Sequence, residues 1–425
     1  MSHKGTTEVA KRGISPNRIL TLNTVAFTVC FAVWLMYGAL IKFLTSQGFY
    51  TWSSSEVGVL IAAPVLTGAI MRLPVGLLTD RFGGRPVFFG VLLVSALGVF
   101  SVYLADSFFG FLVAGLFFGI AGASFAVGIA YTSVWFAKEK QGTALGIFGA
   151  GNAGAAITLM LGPKLLSTLT EGGANPEGWR LFPVIYGVAL LVMAGIFWTL
   201  TENKKAAASA AKSLKERLSP LSNVQVWRFG FYYVLVFGGF VGLSGWLVKY
   251  YVDVYSVSLQ TAGWLAAAFS LPSGVIRAIG GWLSDRSGAR SVMYWVLGSC
   301  LLGSVAVCFP MGIIPFTVIV VGVGIAMGIG KAAVYKHIPV YFPKEVGVVG
   351  GMVGVLGGLG GFVCPIVFGW LLATTTSAAN PSGVWTTSWM FLAGISFVCL
   401  AWMHFAIKRI EGKRETVDSD LAPAT

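Results

Sequence analysis

The sequence predicts an all-α membrane protein: twelve transmembrane helices in two pseudo-symmetric halves of six. Three observations predict it. Apolar stretches of about 20 residues recur along the whole chain, and that is the length a helix needs to cross ~30 Å of hydrocarbon. Only 11% of the residues are charged, 56% are hydrophobic and the mean hydropathy is +0.81, whereas a soluble chain carries about 25% charged residues. Finally, a charged loop motif of the first half returns 205 residues later in the second.

In chain order, the polar N-terminal tail (1–18) reads as lacking a cleavable leader, because the first apolar run is long enough to span. The first half, 19–201, holds spans at about 19–44, 56–79, 86–105, 107–134, 142–167 and 181–201. A polar linker rich in Ala, Ser and Lys follows at 202–226. The second half, 227–408, holds spans at about 227–252, 261–284, 291–310, 312–342, 346–373 and 385–408. The charged tail, 409–425, reads as disordered.

An even number of spans places both termini and the linker on one side of the membrane. That side carries twenty-one Lys and Arg residues; the other carries only Lys42, Lys164, Arg180 and Lys249. By the positive-inside rule the rich side is cytoplasmic, which predicts a multi-pass protein of the cytoplasmic (inner) membrane. The net charge of +13 therefore belongs to loops and tails beside lipid headgroups, and nucleic acid is not a partner. Cys30, Cys300, Cys308, Cys364 and Cys399 all lie in apolar stretches without CxxC spacing, so they read as small buried hydrophobes.

The loop after the second span reads Gly76-x-x-x-Asp80-Arg81-x-Gly83-x-Arg85, and its copy after the eighth reads Gly281-x-x-x-Asp285-Arg286-x-Gly288-x-Arg290. Trp135-Phe136-Ala137-Lys138-Glu139 similarly returns, near offset 206, as Tyr341-Phe342-Pro343-Lys344-Glu345. Parallel repeats of six spans, with binding at their interface near the midplane, are a transporter plan. The doubled loop resembles the signature of the major facilitator superfamily, over essentially the whole chain. That resemblance implies gating loops at Asp80, Arg81, Arg85, Asp285, Arg286 and Arg290, in which Asp caps a helix and pairs with Arg across the halves in one conformation. A bland alternative is that these charges only enforce topology.

All sixteen carboxylates fall in tails, loops or span ends, while Arg72, Arg277 and Lys331 fall well inside spans. Arg72 precedes Asp80 by eight residues, as Arg277 precedes Asp285. At 1.5 Å per residue each lies about 12 Å deep, near the middle of the hydrocarbon. The repeat relates the two arginines, so they approach one another across the pseudo-two-fold axis. An arginine at that depth costs at least ~2.5 kcal/mol and needs a partner. With no midplane carboxylate, two facing guanidiniums call for an anion, and their planar donor forks suit a planar oxyanion such as nitrate. The alternative is that each arginine bonds backbone carbonyls and braces a kink near Pro74 or Pro272.

Glycines crowd the fifth span (Gly142, Gly146, Gly149, Gly151, Gly154) and the eleventh (Gly347, Gly350, Gly351, Gly354, Gly357, Gly358, Gly360, Gly361). Such spacings permit close helix approach, and packing alone accounts for most of them. Asn152 is a polar exception whose amide can donate to an anion. Together with the arginines, the runs Gly149-x-Gly151-Asn152-x-Gly154 and Gly350-Gly351-Met352-Val353-Gly354-x-x-Gly357-Gly358-x-Gly360-Gly361 resemble the signature of the nitrate/nitrite porter family. The resemblance implies that Arg72 and Arg277 clamp the anion, with Asn152, Gly151 and Gly354 beside it. It also implies aromatic closure by Phe125, Tyr233 and Phe237; the last two, four residues apart, share a helix face. Lys331, near the repeat position of Phe125, departs from a two-arginine plan. It either attracts the anion or exchanges a proton, or it snorkels to water. Lys336 and His337 are expected in a solvated vestibule.

The expected function is transport of nitrate, nitrite or both by alternating access. Exchange of the two anions is favoured by the missing midplane carboxylate. Proton symport through Lys331, Tyr233, His337 or a co-bound proton is also compatible with the sequence. Rival readings are the same scaffold carrying a monocarboxylate, cyanate or chlorate and, remotely, a membrane-embedded enzyme. The chain has only His3, His337 and His404, no HExxH, no midplane carboxylate pair and no nucleotide loop, so no catalytic chemistry or cofactor is implied. The helices suffice as a monomer.

Overall fold

A computed structural model of the chain describes residues 15–205, 219–342, 346–377 and 383–420. The start of the N-terminal tail, the centre of the linker, Pro343-Lys344-Glu345 of the second repeat and the last five residues lie outside the described residues. Among the described residues there is no strand. The twelve expected spans are all present: α1 (Pro16–Ser46), α2 (Ser54–Phe82), α3 (Gly84–Leu104), α4 (Phe108–Trp135), α5 (Thr143–Leu169), α6 (Pro176–Leu200), α7 (Val224–Tyr255), α8 (Leu259–Val275 with Arg277–Ser287, bent by 46°), α9 (Ala289–Ala306), α10 (Ile313–Ile338), α11 (Val349–Thr375) and α12 (Trp385–Arg409).

Helix ends follow local chemistry. Ser53 and Glu56 form a reciprocal capping box at the start of α2, and Ser107, Asn223 and Ser258 cap α4, α7 and α8 with their side-chain oxygens. Two ends differ from expectation. α6 starts five residues early with a 3-10 turn, Pro176–Arg180, whose Arg180 pairs with Asp106 and Glu177 and donates to the carbonyls of Tyr103 and Ala105. The helix of α12 runs on as far as Asp420, so the described part of the C-terminal tail is helical, because extending a formed helix is far easier than nucleating one. The two repeated loops turn at Gly83 (φ 90°) and Gly288 (φ 79°), the only positions of the motif that need a positive φ.

The helices that line the centre are broken, and the breaks sit beside the residues of interest. α2 is interrupted at Met71, next to Arg72, where Pro74 removes the N–H that would have closed onto the Ile70 carbonyl. α8 is bent at Ile276, next to Arg277. α4 tightens to a 3-10 helix over Gly119–Ala123, just before Phe125, and α5 does so over Ala150–Ala153, which includes Asn152. α7 widens to a π-helix over Val234–Gly239, between Tyr233 and Phe240. Such departures from α geometry concentrate at functional positions. The halves meet along α2–α11, α5–α8 and α1–α7.

Candidate substrate site

Arg72 begins the second segment of α2 and is 5% exposed. Its Nη1 donates to the Gly354 carbonyl of α11 at 2.5 Å, and its Nε to the Gly122 carbonyl of α4 at 3.5 Å. Three aromatic rings surround the guanidinium: Phe237 at 5.2 Å, Phe125 at 5.4 Å and Trp34 at 5.8 Å. The backbone-bracing reading is thus realised for part of the group, although both carbonyls belong to other helices and not to the kink.

Arg277 occupies the matching place in α8 and is 8% exposed. Its guanidinium lies 5.4 Å from the same Phe125 ring and 5.8 Å from Tyr335. Its Nη1 is buried with no hydrogen-bond partner. Sharing one ring keeps the two guanidinium carbons no farther apart than twice 5.4 Å. At that separation, with an effective dielectric constant of about 20, two unit charges repel by roughly 1.5 kcal/mol. Neither arginine makes an ion pair among the described residues.

A stack of rings closes the site on the α7 side. Tyr233 and Phe237 lie parallel, 5.1 Å apart, and Tyr335 meets Tyr233 edge-on at 5.1 Å. Tyr335 donates to the Gly350 carbonyl at 3.0 Å, while the Tyr233 hydroxyl is buried and unpartnered. The glycines of α11 make this possible: a Cβ at position 357 would sit 2.1 Å from the Tyr233 ring, and one at 354 would sit 2.9 Å from the Tyr335 hydroxyl. Two buried cations, a set of aromatic faces and spare N–H and O–H donors form a chamber suited to a small anion.

A family model described as Major Facilitator Superfamily matches residues 22–340 and 250–422. A probable nitrate/nitrite antiporter, NarK1, of Thermus thermophilus is 42% identical over 416 residues, covering 92% of each chain. The chain belongs to the nitrate/nitrite porter family of the major facilitator superfamily. A nitrite extrusion protein of Bacillus subtilis is 30% identical, covering 91% of this chain and 94% of its own. Among solved structures, a bacterial homolog of the human lysosomal transporter Spinster, inward-facing and occupied, matches with a TM-score of 0.74 at 16% identity, covering 92% of this chain and 97% of that one. That likeness carries the fold alone. The porter is a transporter and not an enzyme.

Of the residues that the sequence marks in this porter, Arg72, Arg277, Phe125, Tyr233, Phe237 and Gly354 come together around the chamber. Asn152 is fully buried with both amide atoms unpartnered, and among the described residues no hydrogen bond joins it to either arginine. Gly151 does not face the arginines: a Cβ there would meet Phe27 of α1 at 2.5 Å, so its smallness serves helix packing. Lys331 is completely buried, donates to Ser273 Oγ at 3.2 Å and lies 3.2 Å over the Phe240 ring, which rules out snorkelling to water in this conformation. Lys336 is exposed and pairs with Asp285, as a vestibule residue should. His337 is not solvated: its Nδ1 contacts the Ala333 carbonyl at 2.8 Å, and Phe229 and Tyr341 cover the ring.

The two repeated charged loops, expected to act as gates, are tied within their own halves at several points. Asp285 pairs with Lys336, Arg85 donates to the Trp198 carbonyl at 3.0 Å through Nε, and Arg290 donates to the Tyr341 hydroxyl at 3.3 Å. Trp34 and Tyr335 are the site residues that sequence reasoning missed. Tyr335 carried a usable signal, since it lies one helical turn from Lys331. Trp34 carried none.

Proposed function

We propose that this porter moves nitrate and nitrite across the cytoplasmic membrane by alternating access, holding one anion between Arg72 and Arg277. The observation that carries the proposal is a buried pair of guanidiniums around a single phenylalanine, with no carboxylate paired to either among the described residues. The names of the relatives, nitrate/nitrite antiporter and nitrite extrusion protein, support this cargo. Planar donor forks meet two oxygens of a planar oxyanion at once, and the aromatic rings keep water away from the charges. The unpartnered Arg277 Nη1 and Tyr233 hydroxyl are donors available to it.

The coupling follows from charge. Without an anion the two guanidiniums repel, and binding removes that repulsion, so the loaded carrier crosses more readily than the empty one. This favours exchange of nitrate for nitrite. Lys331 gives proton symport a candidate residue, because its amine is buried against one hydroxyl and one ring. Both termini lie in the cytoplasm, as its basic loops suggest, and the twelve helices suffice as a monomer.

The test is nitrate uptake into proteoliposomes, with and without internal nitrite, for the unaltered protein, Arg72→Lys and Arg277→Lys. Saturable uptake that internal nitrite accelerates, and that either substitution abolishes, is the expected result. Uptake that ignores internal anion and follows an imposed pH gradient replaces exchange with symport. No nitrate uptake by folded protein under either gradient overturns the cargo.

A further inference from the structure

On the face opposite the termini, α1 and α7 cross so closely that a Cβ on Gly38 would lie 3.0 Å from the Cα of Gly245. Four residues beyond each glycine stands a lysine, in Gly38-Ala-Leu-Ile-Lys42 and Gly245-Trp-Leu-Val-Lys249. The two segments are therefore repeat equivalents that meet at the pseudo-two-fold axis. The symmetry is broken by one residue. Asp253 of α7 receives both ammoniums: Lys42 Nζ from the other half at 3.1 Å on Oδ1, and Lys249 from its own helix on Oδ2. The lysine and aspartate side chains are only 8–14% exposed.

The two contacts respond differently to movement of the halves. Lys249 and Asp253 are four residues apart on one helix, so their pair travels with α7 and survives any rigid-body rocking. The Lys42–Asp253 pair spans the two halves and must break before this face can open. A buried ion pair resists the loss of one partner more strongly than an exposed one, because the charge left behind is poorly hydrated. Lys249 reduces that penalty by keeping Asp253 neutralised after Lys42 departs. What is released is an ammonium on α1, at the mouth an anion must pass.

We propose that Asp253 and Lys42 form the latch of the outer gate of this porter, with Lys249 as the retaining partner of Asp253. The proposal rests on the alternating-access reading but not on the identity of the cargo. Breaking the latch shifts the carrier toward the conformation open on the outer face. Restoring a symmetric, carboxylate-free crossing does the same.

The test reads the gate directly. Ile61 of α2 is buried against this crossing, where a Cβ on Gly245 would meet it at 2.8 Å. Ile61→Cys, in a background with the five native cysteines replaced, reports opening through its reaction with a membrane-impermeant maleimide added outside right-side-out vesicles. Asp253→Asn and Lys42→Ala are each expected to speed labelling at least tenfold. Lys249→Ala, which removes an ion pair to the same carboxylate without releasing the other half, is expected to change it less than threefold. Equal labelling in all four proteins overturns the latch. So does equal acceleration by Lys42→Ala and Lys249→Ala, which marks a merely structural cluster. Size-exclusion profiles show which variants are folded. If Asp253→Asn is misfolded, the contrast between the two lysine variants decides the matter without it. Because labelling needs no substrate, failure of the cargo assignment leaves this outcome readable.

Discussion

Phe125 lies 5.4 Å from each of two buried guanidiniums, and its ring serves both. A cation over a desolvated ring gains about 1–2 kcal/mol, comparable with the ~1.5 kcal/mol by which the guanidiniums repel at their greatest allowed separation. The ring therefore helps hold both arginines in the empty site without neutralising them. Phe125→Leu preserves most of the apolar volume and removes the π face. The expected outcome is a rise in the KM for nitrate of about tenfold, the equivalent of ~1.4 kcal/mol, with melting of the detergent-solubilised protein little changed. Uptake kinetics in proteoliposomes check it; an unaltered KM removes the ring from the site. The arginines themselves were legible in the sequence because an unpaired charge in hydrocarbon is too unfavourable to be accidental. Trp34 was not, since in a chain with 14 Trp and 31 Phe a single ring is marked only by what it packs against.

The elements carry the site through departures from regular helix. Sequence patterns located all twelve spans, because apolar length is a property of composition. They gave no sign of the π-turn in α7 or the 3-10 turns in α4 and α5, which depend on how neighbours compete for backbone groups. The doubled arginine was readable one residue at a time, but the facing of Gly151 toward α1 depends on helix rotation, which a run of closely spaced glycines leaves undefined. For α11 the structure separates glycines by consequence. A Cβ at position 357 would overlap the Tyr233 ring at 2.1 Å, and that ring cannot retreat between Phe237 and Tyr335. A Cβ at position 351 would meet nothing within 4 Å. Overpacking of this kind costs about 1–3 kcal/mol. Gly357→Ala is therefore expected to lower the thermal midpoint and slow transport, while Gly351→Ala leaves the midpoint in place. A thermal-shift assay on the two purified variants distinguishes them.

For the whole molecule, the decisive feature is an imbalance of charge across one repeat axis. Near the centre of the bundle the axis relates Arg72 to Arg277 with no acid paired to either among the described residues; at the face opposite the termini it relates Lys42 to Lys249, and there Asp253 fills the gap. The sequence reveals the first pairing through its matched distance from the repeated loops. It hides the second, because the partner of Lys42 lies 211 residues away and meets it only where two glycines let α1 and α7 cross. The consequence for transport concerns the unloaded carrier. Its two guanidiniums repel by at least ~1.5 kcal/mol at an effective dielectric of about 20, and under the proposed alternating-access mechanism that repulsion opposes reorientation of the empty carrier. On the proposed reading, a monovalent anion bound between the arginines converts that repulsion into two attractions. The rate of reorientation should then differ by one order of magnitude or more between loaded and empty protein, since 1.4 kcal/mol is tenfold. Efflux of labelled nitrate from preloaded vesicles tests this: addition of external nitrite should accelerate efflux at least tenfold at a fixed pH on both sides. Replacing Arg277 by Gln should shrink that acceleration as well as the rate, because one cation alone has no partner to repel. If external nitrite leaves efflux unchanged while a pH gradient drives it, the charge imbalance is being relieved by a proton-linked group instead, with Lys331 as the first residue to substitute.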